Sequence, residues 1–433
     1  MSILKSHSNL VGIKLDHNKN TSEVKSQPIK LPHEVLIPML QHIGAACEPV
    51  VKKGDKVLVG QLIGETTGFV CSPIYSSCSG EVIDVVPYRT PFSALCKAVL
   101  IKTDGLQTLD ESVSAPVIKN KQEFIDAVRK SGVVGLGGAG FPSFIKLDYK
   151  KIENVTTLVI NAAECEPYIT SDNRECIENT NNIIDGILAI QKYLDIPQTY
   201  IAIENNKPEA IKALNSATCS HKNIKVVELK SIYPQGAEKS VIYACCGIVV
   251  KKGSLPADCG VMVINVSTVG FIGEYLKDGV PLIERRITVD GDCVLNPKNL
   301  IVPIGTPIKD IIETCEFSDE YEKILMGGPM MGIPIMNATY PIIKNNNAIT
   351  FLSDKSINKS LTTACIRCGK CVHGCPMNLM PLEIEKAYDS KNTQLLKELC
   401  VDLCINCGCC SYNCPANRHL AQKNQLAKIL IKQ

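Results

Sequence analysis

Tryptophan is absent from the chain and aromatic residues make up only 5% of it, which argues against a base-stacking platform for single-stranded nucleic acid. An excess of either charge is also lacking. Lys and Arg number 46 against 44 Asp and Glu, a net +2, so binding of nucleic acid driven by bulk charge is excluded. No run of about 20 apolar residues is available to span a bilayer; the best stretch, residues 259–273, is interrupted by Asn265, Ser267 and Thr268. The start, MSILKSHSNL, has no apolar core of signal-peptide length. The expectation is a cytosolic chain with no signal peptide and no transmembrane helix, able to dock onto a membrane partner. The seven His show no HxxxH or HExxH spacing, and no GxSxG elbow or Ser/His/Asp arrangement is present, so no side chain is expected to act as a catalytic nucleophile or base. His42 is expected to be a satisfied structural histidine.

What is abundant is cysteine. The 433 residues contain 22, about 5%, well below the 8–10% or so of a short disulfide scaffold. So many thiols in a long chain point to a reducing compartment and to metal ligation. The hydrophobic fraction of 45% and charged fraction of 21% are those of a core-forming protein, and the length predicts about three domains.

The pattern divides the chain into a multidomain α/β protein. Residues 1–30 are polar and read as an extended arm. Residues 31–110 carry short β-branched runs broken by glycines, the sign of a small β barrel or sandwich. Here Glu48–Gly60 and Ser76–Val85 resemble the barrel-sandwich domains of biotinyl and lipoyl carriers, but the turn reads YSSCSG and lacks the modifiable lysine, so a structural role is expected. Residues 115–257 alternate strand and helix: a helix ending at Gly132, then TTLVINA, NNIIDGILAIQKYL and TYIAIEN. This βαβ order implies a parallel sheet covered by helices. Residues 258–340 return to strands with one short helix and close on MGGPMMG, read as flexible. Residues 341–360, rich in Asn, Ser and Thr, read as a linker, and 361–433 are Cys-rich and otherwise helical.

The strongest signal is Cys365-x2-Cys368-x2-Cys371-x3-Cys375-Pro, repeated as Cys404-x2-Cys407-x2-Cys410-x3-Cys414-Pro. A cubane [4Fe–4S] cluster needs four thiolates converging from different directions. A tight loop supplies three, and in the bacterial two-cluster pattern the fourth Cys of each run serves the other cluster. Cys365, Cys368, Cys371 and Cys414 are therefore assigned to one cluster, and Cys404, Cys407, Cys410 and Cys375 to the second. Zinc accepts four cysteines in CxxC pairs but has no need of the third Cys in each run. Cys400 and Cys409 are left as spare, and most of the twelve cysteines before residue 360 are expected to be small buried hydrophobes.

Residues 132–146 read GVVGLGGAGFPSFIK. A helix precedes these glycines, so they are not the dinucleotide fingerprint, which closes a strand. Glycines nevertheless let backbone N–H groups approach a phosphate or a flavin edge. Gly135–Pro142 with Lys146, then Asn161-Ala-Ala-Glu164-Cys-Glu166-Pro, is similar to the FMN- and NADH-binding subunit of respiratory complex I, with its GRGGAGFP loop and N-x-x-E-x-E-P strand end. Tyr233-Pro-Gln-Gly236-Ala-Glu238 and Asn265-Val-Ser-Thr268 fit as well. The N-terminal barrel, the Gln41–Pro49 run, MGGPMMG and the paired cysteine motifs are absent from that subunit. They resemble the RnfC subunits of the Rnf complexes, membrane-bound ferredoxin:NAD oxidoreductases that pump sodium or protons. The Gly12-Ile13-Lys14 start departs from the Gly-Ile-His-Pro usual there.

The resemblance implies a Rossmann-like FMN-binding domain, a β-grasp (SLBB) domain and a C-terminal α-helical double [4Fe–4S] ferredoxin domain. Gly135, Gly137, Gly138, Gly140 and Lys146 would cradle non-covalent FMN. Asn161, Gly236, Asn265 and Thr268 would hold its ring or phosphate, and Phe141, Glu164, Glu166 and Glu238 would line the nicotinamide side for NAD(H). It implies electron-transfer work through these cofactors, peripheral to the cytoplasmic face of the membrane. The partners would be integral membrane subunits and a ferredoxin-binding iron–sulfur subunit. A soluble reductase assembly, such as an amino-acid reductase, is the alternative setting for the same architecture.

Overall fold

The computed structural model describes residues 4–5, 11–91, 93–357 and 359–432. Side chains of Thr157–Ala162 alternate between two cores, Leu158, Ile160 and Ala162 in one and Val159 with Ala163 in the other. Val261–Asn265 divides in the same way, with Met262 and Ile264 opposite Val261 and Val263. Strands buried on both faces read as continuous apolar runs, which is the mark of a parallel sheet between helices. The sheet runs Leu4–Lys5, Ile224–Leu229, Gln198–Glu204, Thr157–Ala162, Val261–Asn265, and its paired neighbours are parallel. Helices Lys121–Lys130, Thr180–Leu194 and Val266–Asp278 supply one core and Glu238–Cys246 the other.

Strand order therefore reverses between Thr157–Ala162 and Val261–Asn265. It also moves a boundary. Residues 258–278, expected at the start of the β-grasp region, instead complete this sheet, because Val261–Asn265 pairs along its whole length with Thr157–Asn161.

A second, mixed sheet has the order Ile333–Ile335, Tyr321–Met326, Ala348–Ser353, Glu284–Asp290, Lys298–Pro303, Ser26–Pro28. The short helix Ile308–Ile312 packs on its core of Ile287, Val289, Ile324, Ile349 and Phe351. The expected linker 341–360 thus contains an interior strand, all six residues of Ala348–Ser353 being buried; the Asn-rich composition belongs to the turn before it. MGGPMMG is held rather than flexible: Gly332 N–H donates to the Gly328 carbonyl at 2.8 Å, and Met330 N–H to Glu166 Oε2 at 3.1 Å.

In the N-terminal domain two small sheets enclose Val35, Ile37, Met39, Ile63, Ile74, Val99 and Ile101. Its Ser76–Ser79 turn is buried, and Ser77 Oγ donates to the Ile304 carbonyl at 2.5 Å. No exposed hairpin tip exists there for a swinging arm. His42 is only half satisfied. Its Nε2 lies 3.0 Å from the Ala45 carbonyl and 3.2 Å from Ser72 N–H, while Nδ1 is buried without a partner, and burial holds the ring neutral with a pKa of about 4. Of the cysteines before residue 360, expected mostly as small buried hydrophobes, five are buried, six are intermediate and Cys219 is exposed.

The C-terminal helices Pro381–Asp389, Thr393–Glu398 and Leu420–Leu430 close on Ile384, Leu396, Val401 and Ala427. Among the described residues no helix is long and apolar enough to cross a membrane.

Helices Thr180–Leu194 and Val266–Asp278 touch backbone to backbone through glycine. A Cβ on Gly186 would sit 2.0 Å from the Val269 carbonyl oxygen, and one on Gly273 2.0 Å from that of Asn182. Overpacking of this kind costs about 1–3 kcal/mol. Gly186→Ala is expected to lower the thermal unfolding midpoint by several degrees, as circular dichroism would show, whereas Gly138→Ala, outside the left-handed φ region and with nothing within 4 Å of the added carbon, serves as the control for space.

Candidate functional site

In open α/β sheets ligands bind at the carboxyl ends of the strands, where strand order reverses. Here that point lies between Asn161 and Asn265, which are register partners. Asn265 caps helix Val266–Asp278, its Oδ1 accepting from Ser267 N–H at 2.9 Å and Thr268 N–H at 3.2 Å. Its Nδ2 donates to Asp172 Oδ2 at 2.8 Å. Asn161 Nδ2 donates to the Gly236 carbonyl at 2.8 Å, and its Oδ1 accepts from Ala163 N–H at 3.2 Å. Both amides are thus committed to shaping the strand ends.

The glycine loop lies across this point. Gly135 N–H donates to the Phe141 carbonyl at 2.8 Å, and Leu136 N–H to Thr268 Oγ1 at 3.0 Å. Ile43 N–H of the barrel domain donates to the Gly140 carbonyl at 3.1 Å, and Asn345 Nδ2 to that of Gly138 at 3.0 Å. A Cβ on Gly137 would lie 2.3 Å from Asn265 Nδ2, while Gly138 faces open space. With the carbonyls tied back, the N–H groups of Gly137, Gly138, Ala139 and Gly140 donate to nothing among the described residues. A run of free amides at a switch point is a built cradle for a phosphate or a flavin edge. Lys146 stands nearby in a half-exposed pair with Glu238, Nζ to Oε1 2.8 Å, and Phe141 is 37% exposed at the loop's end.

The second wall is the Glu164–Glu166 turn, where Glu164 adopts a left-handed φ of 48°. The two carboxylates, expected to share one face, go to different partners. Glu164 accepts from the N–H groups of Asp172 (2.6 Å) and Asn173 (3.2 Å), at the start of helix Ser171–Glu178. Burial raises its carboxyl above the usual range. Glu166 Oε2 accepts from Met330 N–H, and its Oε1 is buried with no partner; burial pushes its carboxyl up to about 7.

Three residues that sequence reasoning missed organise this wall. Lys19 of the arm donates to the carbonyls of Glu164, Glu166 and Ile169 at 2.8, 2.8 and 2.6 Å. Lys207 donates to the Ala163 carbonyl at 2.6 Å, and Asp172 holds Asn265 and Ser267. A lysine in a polar arm carries no signal of its own; Asp172, in TSDNRE at a helix start, offered a faint one.

The cysteine runs fold as two copies of one motif. Arg367 and Asn406, Gly369 and Gly408, and Asn378 and Asn417 take positive φ at matching positions. One cavity is lined by Cys375, Cys404, Cys407, Cys409 and Cys410, and a second by Cys365, Cys368, Cys371 and Cys414. Each draws cysteines from both runs. Backbone N–H groups already face sulfur, Arg367 to Cys365 Sγ at 3.3 Å and Leu379 to Cys375 Sγ at 3.4 Å. Among the described residues no three His, Cys, Asp or Glu are placed to hold a metal ion together. Cys409, beside them, is fully buried.

Residues 128–274 match the model of the Nuo51 FMN-binding domain, and residues 8–106 that of the RnfC barrel sandwich hybrid domain. The chain is 41% identical over 372 residues to the C subunit of the proton-translocating ferredoxin:NAD(+) oxidoreductase complex of Clostridium ljungdahlii, covering 84% of this chain and 81% of the relative. It is 40% identical over 379 residues to the Na(+)-translocating counterpart of Acetobacterium woodii, with 86% and 85% covered. Against the C subunit of the ion-translocating oxidoreductase complex of Rhodobacter capsulatus identity is 40% over 425 residues, 95% and 80% covered. Among solved structures, an NAD+-reducing [NiFe]-hydrogenase in the H2-reduced state superposes with a TM-score of 0.51 at 15% identity, covering 72% of this chain and 61% of that one. That likeness speaks for the fold alone.

Two outcomes test the site. Gly137→Ala is expected to weaken binding of added FMN at least about tenfold, read by quenching of flavin fluorescence, since the methyl displaces the Asn265 amide that shapes the cradle. Glu166 titrates at 4.5 when unperturbed and at about 7 here, so its stabilising contribution is complete below 4.5 and lost as pH rises through 7. Between pH 5 and 8 the protein is expected to lose about 1–3 kcal/mol relative to Glu166→Gln in urea unfolding; parallel curves for the two would contradict this.

Proposed function

Because the chain belongs to the RnfC family, the C subunits of ion-translocating ferredoxin:NAD(+) oxidoreductase complexes, we propose that it exchanges electrons between NAD(H) and the rest of such a complex through FMN and two [4Fe–4S] clusters. The observation that carries this is the union, in one polypeptide, of the free amides at the switch point with two cysteine-lined cavities that each draw thiols from both runs. A nicotinamide gives or takes two electrons together and a cluster one, and a flavin supplies the step between them.

The residues divide that work. The amides of Gly137 to Gly140 face the flavin, and Lys146 can leave Glu238 to meet an anionic group. Glu164 and Glu166 flank the nicotinamide side, where carboxyls held partly protonated by burial repel an incoming dinucleotide less than full charges would. Phe141 covers the loop's outer edge, while Asn161, Gly236, Asn265 and Thr268 keep the cradle's shape. Cys375, Cys404, Cys407 and Cys410 hold the cluster nearer the α/β domain. Cys365, Cys368, Cys371 and Cys414 hold the outer one, where Cys365 and Cys368 are exposed. The six-stranded sheet with its single short helix serves as a β-grasp (SLBB) module, and the C-terminal helices as a double ferredoxin module. The partners are the integral membrane subunits and a ferredoxin-binding iron–sulfur subunit, with the chain peripheral on the cytoplasmic face.

Anaerobic purification is expected to give a brown protein with about eight irons by the two-cluster ligand count, and with FMN that NADH bleaches. Cys414→Ala is expected to remove about four of those irons while leaving the cluster bound by the run Cys404–Cys410 intact. Iron-replete protein without flavin, or flavin-replete protein that NADH leaves unchanged, would refute the assignment.

A further inference from the structure

We propose that Tyr233 is a positioning residue that seats the Cys404–Cys410 loop on the α/β domain and thereby sets the reduction potential of the cluster held there; this rests on the reading of those thiols as iron–sulfur ligands. Tyr233 is 1% exposed, and its hydroxyl donates to the Cys407 carbonyl at 2.8 Å, across the seam between the two domains. A buried tyrosine needs a partner for its hydroxyl. Most such partners are ordinary core acceptors, but here the acceptor belongs to a cluster-ligating residue itself.

The seam around it is apolar and tight. Tyr233, Cys407 and Cys409 share one buried cluster with Ile13, and Cys165 and Met330 pack against it. Gly408, at φ 80°, brings its backbone so close that a Cβ would lie 3.1 Å from the Met330 carbonyl oxygen. Met330 in turn donates to Glu166. Tyr233 also lies at the flavin side by its backbone, three residues before Gly236, whose N–H donates to Cys165 Sγ at 3.4 Å and whose carbonyl accepts from Asn161. The Tyr233 phenol also faces the Glu166 carboxyl, so one side chain stands between the Glu164–Glu166 turn and the ligand loop. By contrast the ion pair Lys252–Asp402, 3.2 Å, is half exposed on both sides, and such pairs hold little.

Hydrogen bonds and burial around the ligands tune cluster potential, and outer partners of metal ligands commonly change site properties by tenfold or more. The positive end of the Tyr233 O–H dipole points at the ligand loop, which favours the reduced, more negative cluster. Removing it leaves the Cys407 carbonyl unpaired and lowers the potential.

The test is a redox titration followed by electron paramagnetic resonance on the anaerobically purified full chain, comparing wild type, Tyr233→Phe and Tyr412→Phe. Tyr412 follows Cys410 but is exposed and controls for loss of any nearby phenol. Tyr233→Phe keeps the buried ring and is expected to lower one midpoint by about tenfold in the reduction equilibrium, about 59 mV for one electron, with the other unmoved. The affected signal should be the one that Cys404→Ala abolishes. Loss of about four irons from that cluster alone would also support the role. Unchanged midpoints, a shift in both clusters, or joint loss of flavin and all iron would overturn it, the last marking a merely structural side chain. Wild-type protein without two cluster signals would instead refute the underlying cofactor assignment.

Discussion

Strand order reverses between Thr157–Ala162 and Val261–Asn265, and the gap this opens at the carboxyl edge of the sheet decides where everything else must lie. Parallel strands leave their last carbonyls and the first amides of the following helix at that edge, polar groups with no partner in the sheet. Asn265 answers part of the demand by capping its helix, and the Gly135–Pro142 loop answers the rest by folding over it. Only glycine permits that approach at position 137, where any side chain would meet the Asn265 amide. The accessory domains tie down the loop's carbonyls through Ile43 and Asn345, which turns its amides outward. The binding surface is thus a product of three domains, although the sequence motif for it lies in one.

The electrostatics of the neighbouring turn follow from the same geometry. Its carbonyls, pointing away from the cradle, would be buried without partners, and Lys19 and Lys207 supply the donors. Lys207 pairs with the fully buried Glu204, Nζ to Oε2 3.4 Å, while burial lowers Lys19 to about 8 and raises the carboxyls of Glu164 and Glu166. A negative ligand approaching this edge meets a weaker opposing field than its count of acidic residues implies.

Much of this was legible in the sequence, because local patterns carry it. The apolar runs of the parallel strands, the glycine loop, and the cysteine spacing each obey a short-range rule, and each of the two cavities brings together cysteines of both runs. What was missed is non-local. Val261–Asn265 joins its sheet by pairing with a strand about a hundred residues earlier in the chain, a separation that periodicity cannot register. Ala348–Ser353 is an interior strand whose Asn-rich approach masked it. Lys19 looks like any surface lysine until the arm is laid against the 164–169 turn. His42, read as satisfied, keeps Nδ1 buried without a partner.

The arm shows how a segment without a core of its own can be essential to one. Ile13 exchanges two backbone hydrogen bonds with Tyr233, and a Cβ on Gly374, at the cysteine domain, would come within 3.4 Å of its side chain. Lys19 then pins the 164–169 turn, Asn20 reaches Asp290 of the mixed sheet at 3.1 Å, and Ser26–Pro28 becomes that sheet's edge strand. In some fifteen residues the chain thus passes from the cysteine loops, over the Glu164–Glu166 turn, to the mixed sheet. Each contact is small, but ordering an extended segment costs about 1–2 kcal/mol per residue in backbone freedom, so the contacts hold only as a set. The spacing between the α/β domain and the cysteine loops is consequently set by packing on both sides of Tyr233, with the arm on one side and Met330 on the other. Of residues 11–30 only Ile13 and Thr21 are buried, so the arm runs over the surface and holds its neighbours through a few anchored side chains and backbone bonds.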